Sequence, residues 1–181
     1  MAIHKERARG PVACALLSGG GGLVSTIDDY AKFAHCLLHG GLCGSGSGSS
    51  ASGGGSVSAY VSVSDRRVIS SETLSLMHHN HLPVETPDLL SCSHDRGFTE
   101  SIGPGIGFGL AVSVIIDPLT ARGGAMSSIG EFGWGGVAST WFYVDPTKKI
   151  VSILFAQLIP SSKYPIRQQL RYLSHWVCAA I

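Results

Sequence analysis

Apolar and polar positions alternate along this chain in two textures. Between Ser25 and His39 the period is helical: Ile27, Tyr30, Ala34, Leu37 and Leu38 share one face. Ser25 and Thr26 stand at the capping position, Asp28 and Asp29 in the first turn, and His39-Gly40-Gly41 supplies a stop. A second short helix is predicted over 72–79, capped by Ser70 and Ser71 and ended ahead of Pro83 and Pro87. After Gly103-Pro104-Gly105 the texture becomes that of strands, over 107–116, 133–145 and 150–158, with turns at Asp117-Pro118 and Asp145-Pro146. Both alternating faces are apolar in 141–144 and 150–156, which predicts central strands covered by helices on each side. Pro165 opens a last helix whose stripe Ile166, Leu170, Leu173 and Val177 is expected to face the sheet, with Arg167, Gln168 and Arg171 off it. The fold class predicted is α+β, a mostly antiparallel sheet of at least three strands flanked by helices.

Between these textures lies a stretch that cannot build a core. From Gly44 to Ser58, thirteen of fifteen residues are Gly or Ser, the composition of a flexible surface insert. The expected organisation is an atypical start over 1–17, a helical segment over 18–43, the insert over 44–64, and the sheet with its helix over 65–181, all parts of one domain. At 181 residues, 44% hydrophobic and 14% charged, the chain has material for one core. A net charge of +1 gives no footprint of a nucleic-acid or acidic-membrane binder. No apolar run approaches the roughly 20 residues of a spanning helix. The partner expected is a small or neutral molecule. Five cysteines, Cys14, Cys36, Cys43, Cys92 and Cys178, never fall into C-x-x-C spacing. They read as free thiols in a reducing, by default cytoplasmic, setting, although Cys36 and Cys43 stand close enough to pair.

The candidate chemistry centres on Gly133-Trp134-Gly135-Gly136-Val137. A glycine pair on a strand with large apolar neighbours implies a close backbone approach, read here as the floor of a binding cleft. Other constellations carry the plainer reading. His78, His79 and His81 straddle a helix end without an acidic or cysteine partner at ligand spacing, so neither metal nor cofactor is implied. The glycines of 19–22 are not followed by Lys-Ser/Thr and make a turn before a helix. His35 and His175 lie on amphipathic helices and read as structural.

Ser18-Gly19-Gly20-Gly21-Gly22-Leu23-Val24-Ser25-Thr26, the following Asp-Asp-Tyr helix, Ser71 to Met77, Gly107-Phe108-Gly109-Leu110, Gly133-Trp134-Gly135-Gly136 and Val144-Asp145-Pro146 occur in that order. In this order they resemble the C-terminal part of the serine β-lactamase-related family, in its class C-like branch of esterases, transesterases and penicillin-binding-protein relatives. The resemblance runs from Ser18 to about Arg171 and implies a β-lactamase/transpeptidase-like fold. It further implies acyl transfer through a serine ester, with a Ser-x-x-Lys nucleophile and base, a Tyr-x-Asn-type tyrosine and a Lys-Thr-Gly-type strand triad. Trp134-Gly135-Gly136 stands in the place of that triad, and the resemblance makes the Val137 amide an oxyanion-hole donor. Tryptophan in place of lysine removes a cationic partner for a carboxylate, which favours neutral ester or acyl substrates over penicillins.

The rest of the machinery is not in this sequence. Three residues before Lys5, Lys32, Lys148, Lys149 and Lys163 stand Ala2, Asp29, Asp145, Pro146 and Pro160, so there is no Ser-x-x-Lys. The sole asparagine, Asn80, follows His78 by two positions, so Tyr-x-Asn is missing too. No serine sits in a G-x-S-x-G elbow. The expectation is a chain inactive by itself, its nucleophile supplied from elsewhere; the competing expectation is a non-catalytic binding or scaffold protein that keeps the cleft. Either way, apolar faces left uncovered predict self-association or a partner.

Overall fold

In the computed structural model the described residues are 24–43, 66–92, 103–121 and 126–180. The motif at 18–23, the atypical start, the Gly/Ser insert and Cys14 lie outside them. In chain order the elements are α1 (Ile27–Leu38), β1 (Leu42–Cys43), β2 (Arg66–Arg67), α2 (Ser71–Met77), α3 (Leu89–Cys92), β3 (Ile106–Phe108), β4 (Ser113–Ile115), β5 (Phe132–Gly135), β6 (Trp141–Asp145), β7 (Ile150–Leu154) and α4 (Ile166–Ala179). β1 and β2 form a small ladder, and β3 to β7 form one antiparallel sheet in sequential order. The architecture is α+β, as the sequence predicts.

Local chemistry explains the helices. Thr26 caps α1 by accepting the Asp29 amide, and Ser70 caps α2 by accepting the Thr73 amide. The α1 chain reverses through Gly40 and Gly41, both at positive φ. The Asp145 carboxylate accepts the Thr147 and Lys148 amides and so closes the β6–β7 turn that the sequence places there.

Alternation gives the sheet two unlike faces. Phe132, Phe142 and Val144 point into an apolar core with Leu37, Leu74, Val112 and Val114, and Tyr30, Leu38 and Trp134 pack against it. α1 covers this face, with Tyr30 edge-on to Phe142. α4 covers the other face, where Ser152 and Ser174 share a hydrogen bond and His175 lies parallel to the Tyr143 ring. Two-sided cover of β6 and β7 is therefore found.

Four expectations are corrected. The run 107–116 is not one strand but the β3–β4 hairpin, turned at Ala111, a non-glycine residue at φ 68°. The run 133–145 is the β5–β6 hairpin, turned at 136–140 with Ser139 at φ 67°. Among the described residues β7 is the last strand of its sheet rather than a central one. Cys36 and Cys43 are joined in a disulfide, their Cα atoms 4.7 Å apart, because the turn at Gly40-Gly41 folds β1 back beside the end of α1. Cys178 is a free, exposed thiol.

The orientation of α4 reverses the expected one. Its buried residues are Arg167, Arg171 and His175, while Leu173, Trp176 and Val177 face outward. The cause is on the sheet. Glu131 is only 2% exposed and needs a cation, and the Trp141 and Tyr143 rings offer a guanidinium a flat platform.

Candidate functional site

β5 outruns its neighbour on one side. β4 begins at Ser113, which pairs with Gly133, so pairing toward β4 ends there. Trp134 and Gly135 remain paired toward β6, opposite Phe142 and Trp141. Their other edge is open to an extended ligand among the described residues. The residues expected from sequence to floor a cleft, Trp134, Gly135, Gly136 and Val137, thus stand together at the unpaired end of a strand.

The turn beyond them is braced from several directions. Gly136 donates its amide to the Thr140 carbonyl at 2.8 Å, and Ser139 returns its amide to Gly136 at 3.0 Å. The fully buried Ser139 hydroxyl donates to the Leu158 carbonyl at 2.6 Å, and the Leu158 amide donates to Ala138. From α4, the Arg167 guanidinium donates to the Gly136 carbonyl at 2.6 Å and to the Thr140 carbonyl at 3.2 Å. These bonds leave Val137 at the apex with its side chain 75% exposed and its amide without a hydrogen-bond partner among the described residues.

The glycines have distinct reasons. A Cβ on Gly135 would lie 2.7 Å from the Arg167 Cζ, and a Cβ on Gly136 would strike the Thr140 hydroxyl. On the face toward α4 the close approach that requires Gly135 is therefore made by the protein's own guanidinium. The open edge lies in the plane of the sheet and is left free by that contact. Trp134 is half-buried, its indole edge-to-face with Phe108 at 5.1 Å.

Beneath this end of the sheet lies a charged lattice that sequence reading missed. Arg171 pairs with Glu131 at 2.5 Å, donates to the Ser127 hydroxyl at 2.7 Å, and stacks over Tyr143 and Trp141 at 4.6 and 5.0 Å. Burial pushes the Glu131 carboxyl above the ordinary carboxylate range, opposed by its bond to Arg171. Burial likewise pushes the Tyr143 phenol up. His175 is held below the usual imidazole value by burial first, then by Lys148 and Arg171. The available signal was the i, i+4, i+8 spacing of Arg167, Arg171 and His175, which marks one helix face as surely as an apolar stripe does.

Other candidates fall elsewhere. His78 ends α2 and stacks on Phe132 at 4.8 Å, with burial holding its pKa down. The His81 ring bonds the Leu76 carbonyl, and His35 stacks on His39. Asn80 is structural: its carbonyl accepts the Leu82 and Phe108 amides and its amide group donates to Pro87. Among the described residues no group of three or more His, Cys, Asp or Glu is placed to hold a metal ion. Among them, too, no helix is long and apolar enough to cross a membrane.

Comparison with known proteins bears on the fold. No family model matches the chain. Protein Rv1367c of Mycobacterium tuberculosis strain H37Rv is 30% identical over 148 residues, covering 79% of this chain and 29% of that protein. The uncharacterized protein MT1414 of strain CDC 1551 matches to the same extent. Among solved structures, simvastatin synthase LovD from Aspergillus terreus superposes with a TM-score of 0.52 at 18% identity, over 83% of this chain and 32% of that one. The chain shares its fold with part of that synthase. It spans about a third or less of the length of each of these proteins.

Proposed function

We propose that this chain forms the substrate-edge portion of a serine hydrolase or acyltransferase related to the β-lactamases, and that it corresponds to the C-terminal part of such a domain. The observation that carries this reading is the edge of β5 beyond Gly133, open among the described residues and ending in the Val137 amide, which has no hydrogen-bond partner among them. An extended neutral ester or acyl group lies along Trp134, Gly135 and Gly136 and takes its main-chain hydrogen bonds from Gly135, since the Gly136 amide and carbonyl are already engaged by Thr140, Ser139 and Arg167. Its reacting carbonyl sits at Val137, whose amide is one of two oxyanion donors; a donor of this kind typically contributes about 3 kcal/mol to the transition state. The fold shared with simvastatin synthase and the ordered motifs of the sequence support this reading. Segments 18–43 and 65–181 then belong to one domain, with 44–64 as its insert.

Nucleophile and base come from outside this chain, since no Ser-x-x-Lys occurs in it. The chain alone is inactive. A fluorophosphonate probe and a 4-nitrophenyl ester test this: the expected result is no serine labelling and no turnover, and rapid stoichiometric labelling of a serine contradicts it. The same missing motifs favour, as a second reading, a non-catalytic binder that keeps the cleft. Coding sequence in frame upstream separates the two, since a Ser-x-x-Lys there belongs only to the enzyme.

A further inference from the structure

The peptide that joins Gly136 to Val137 is engaged at its oxygen and offers a donor at its nitrogen. Its carbonyl accepts two hydrogen bonds, from the Ser139 amide at 3.0 Å and from the Arg167 guanidinium at 2.6 Å. Among the described residues the Ile159-Pro160 bond is the one cis peptide, so the Gly136–Val137 peptide is trans. Its N–H therefore points away from the groups bonded to its oxygen. The fold holds the cation close. Arg167 is 5% exposed in the first turn of α4, and the missing Cβ of Gly135, which would stand 2.7 Å from the Arg167 Cζ, lets the guanidinium lie directly against the strand. A further contact, to the Thr140 carbonyl at 3.2 Å, spans the base of the turn. Arg171, one turn along the same helix face, meets the Glu131 carboxylate, whereas Arg167 donates to main-chain carbonyls beneath the candidate site.

We propose that Arg167 is a positioning residue that acts through this peptide, polarising it so that the Val137 N–H becomes a stronger donor toward a substrate oxygen. The inference rests on the reading of the β5 edge as an acyl site. A hydrogen bond from an ionised donor is about twice as strong as a neutral one. It draws electron density onto the carbonyl oxygen and out of the amide nitrogen, which makes the N–H more acidic. Hydrogen bonds in series through a peptide strengthen one another, by on the order of 10–30% per bond. Here the series runs from the guanidinium through the Gly136 carbonyl to the Val137 amide, and the negative charge that develops on an acyl oxygen stands at its far end. Burial of Arg167 limits screening by water, and a guanidinium keeps its charge across the working range of pH. A brace alone has no use for that charge, because the main-chain bonds between Gly136, Ser139 and Thr140 already close the turn.

Amide chemical shifts of the full chain test the proposal without a ligand, in Arg167→Lys, which keeps the charge, and Arg167→Gln, which removes it. The expected result is a Val137 ¹⁵N resonance that moves upfield in Arg167→Gln and stays near its native position in Arg167→Lys, with the Leu158 amide equally protected in both. Equal displacement in the two variants means that charge plays no part, and overturns the proposal. Loss of Leu158 protection in both makes Arg167 a brace of the turn and overturns it as well. One measurement needs no variant: a scalar coupling across the hydrogen bond from an Arg167 Nη to the Gly136 carbonyl carbon is expected in the native chain, and its absence contradicts the arrangement. Titration with a neutral short-chain ester separates this inference from the reading on which it rests. Where the native chain binds the ester, Arg167→Gln is expected to weaken binding about threefold to tenfold and Arg167→Lys by about twofold at most. Failure of the native chain to bind overturns the acyl-site reading, and the ligand-free shifts then decide the role of Arg167 by themselves.

Discussion

Gly135 is the residue on which the candidate cleft depends most directly, because the Arg167 guanidinium occupies the space its side chain would need. Gly135→Ala is expected to displace Arg167 from the Gly136 and Thr140 carbonyls and lower stability by about 1–3 kcal/mol, read as the urea midpoint. Loosening of the turn should appear in the same variant as faster exchange of the Ser139 amide. Arg171 offers a second test, since it neutralises a carboxylate that has almost no contact with water. Arg171→Met is expected to cost about 3–5 kcal/mol, and pairing it with Glu131→Met should recover much of that loss, because only the single variant leaves a buried charge alone. A double-variant loss equal to the sum of the two single-variant losses would mean the pair is not coupled. The glycine pair itself was legible in the sequence, since glycine among large strand residues demands a reason. That one reason is a guanidinium from a helix thirty residues on was not, because no local pattern links the two.

At the scale of elements, α4 shows how an apolar stripe can mislead. Its residues Leu173 and Val177 suggested the buried face, yet Arg167, Arg171, Ser174 and His175 meet the sheet. The deciding term was Glu131, whose burial depends on the β5–β6 hairpin and cannot be read from periodicity. Likewise the two missed hairpin turns use Ala111 and Ser139 at positive φ, where sequence rules look for glycine. Capped helices fared better: Thr26 and Ser70 marked the starts of α1 and α2 because a cap is a local interaction. The docking of α4 should depend on pH through His175, which faces Tyr143 with Lys148, Arg171 and Asp145 nearby. Its folded pKa is depressed, so the unfolded chain takes up the proton first. Its contribution is present above the ordinary value of about 6.5 and is lost as pH falls below it. Thermal melts from pH 7.5 to 5.5 should show a fall in midpoint that His175→Gln reduces, and a profile identical in that variant would contradict the assignment.

Across the whole molecule, the open strand edge at β5 is read as a substrate site. The α+β class and the two-sided cover of β6 and β7 were legible in the sequence because both rest on alternation over several residues. Which strand ends the sheet was not legible, since that depends on pairing rather than on pattern. The Cys36–Cys43 bond was open to either reading, and the fold decides it by bringing the end of α1 beside β1. Non-reducing peptide mapping should recover the two cysteines in one linked species, and replacing both by serine should cost about 2–3 kcal/mol for a loop this short.

The central claim, that the open end of β5 receives an extended acyl or ester group, is tested most directly by amide chemical shifts. A ¹⁵N-labelled sample titrated with a neutral short-chain ester should show saturable shifts at Trp134, Gly135, Gly136 and Val137, with the Ile150 to Leu154 amides unmoved. Saturable binding that leaves these four amides in place, or no binding up to the solubility limit of the ester, would contradict it.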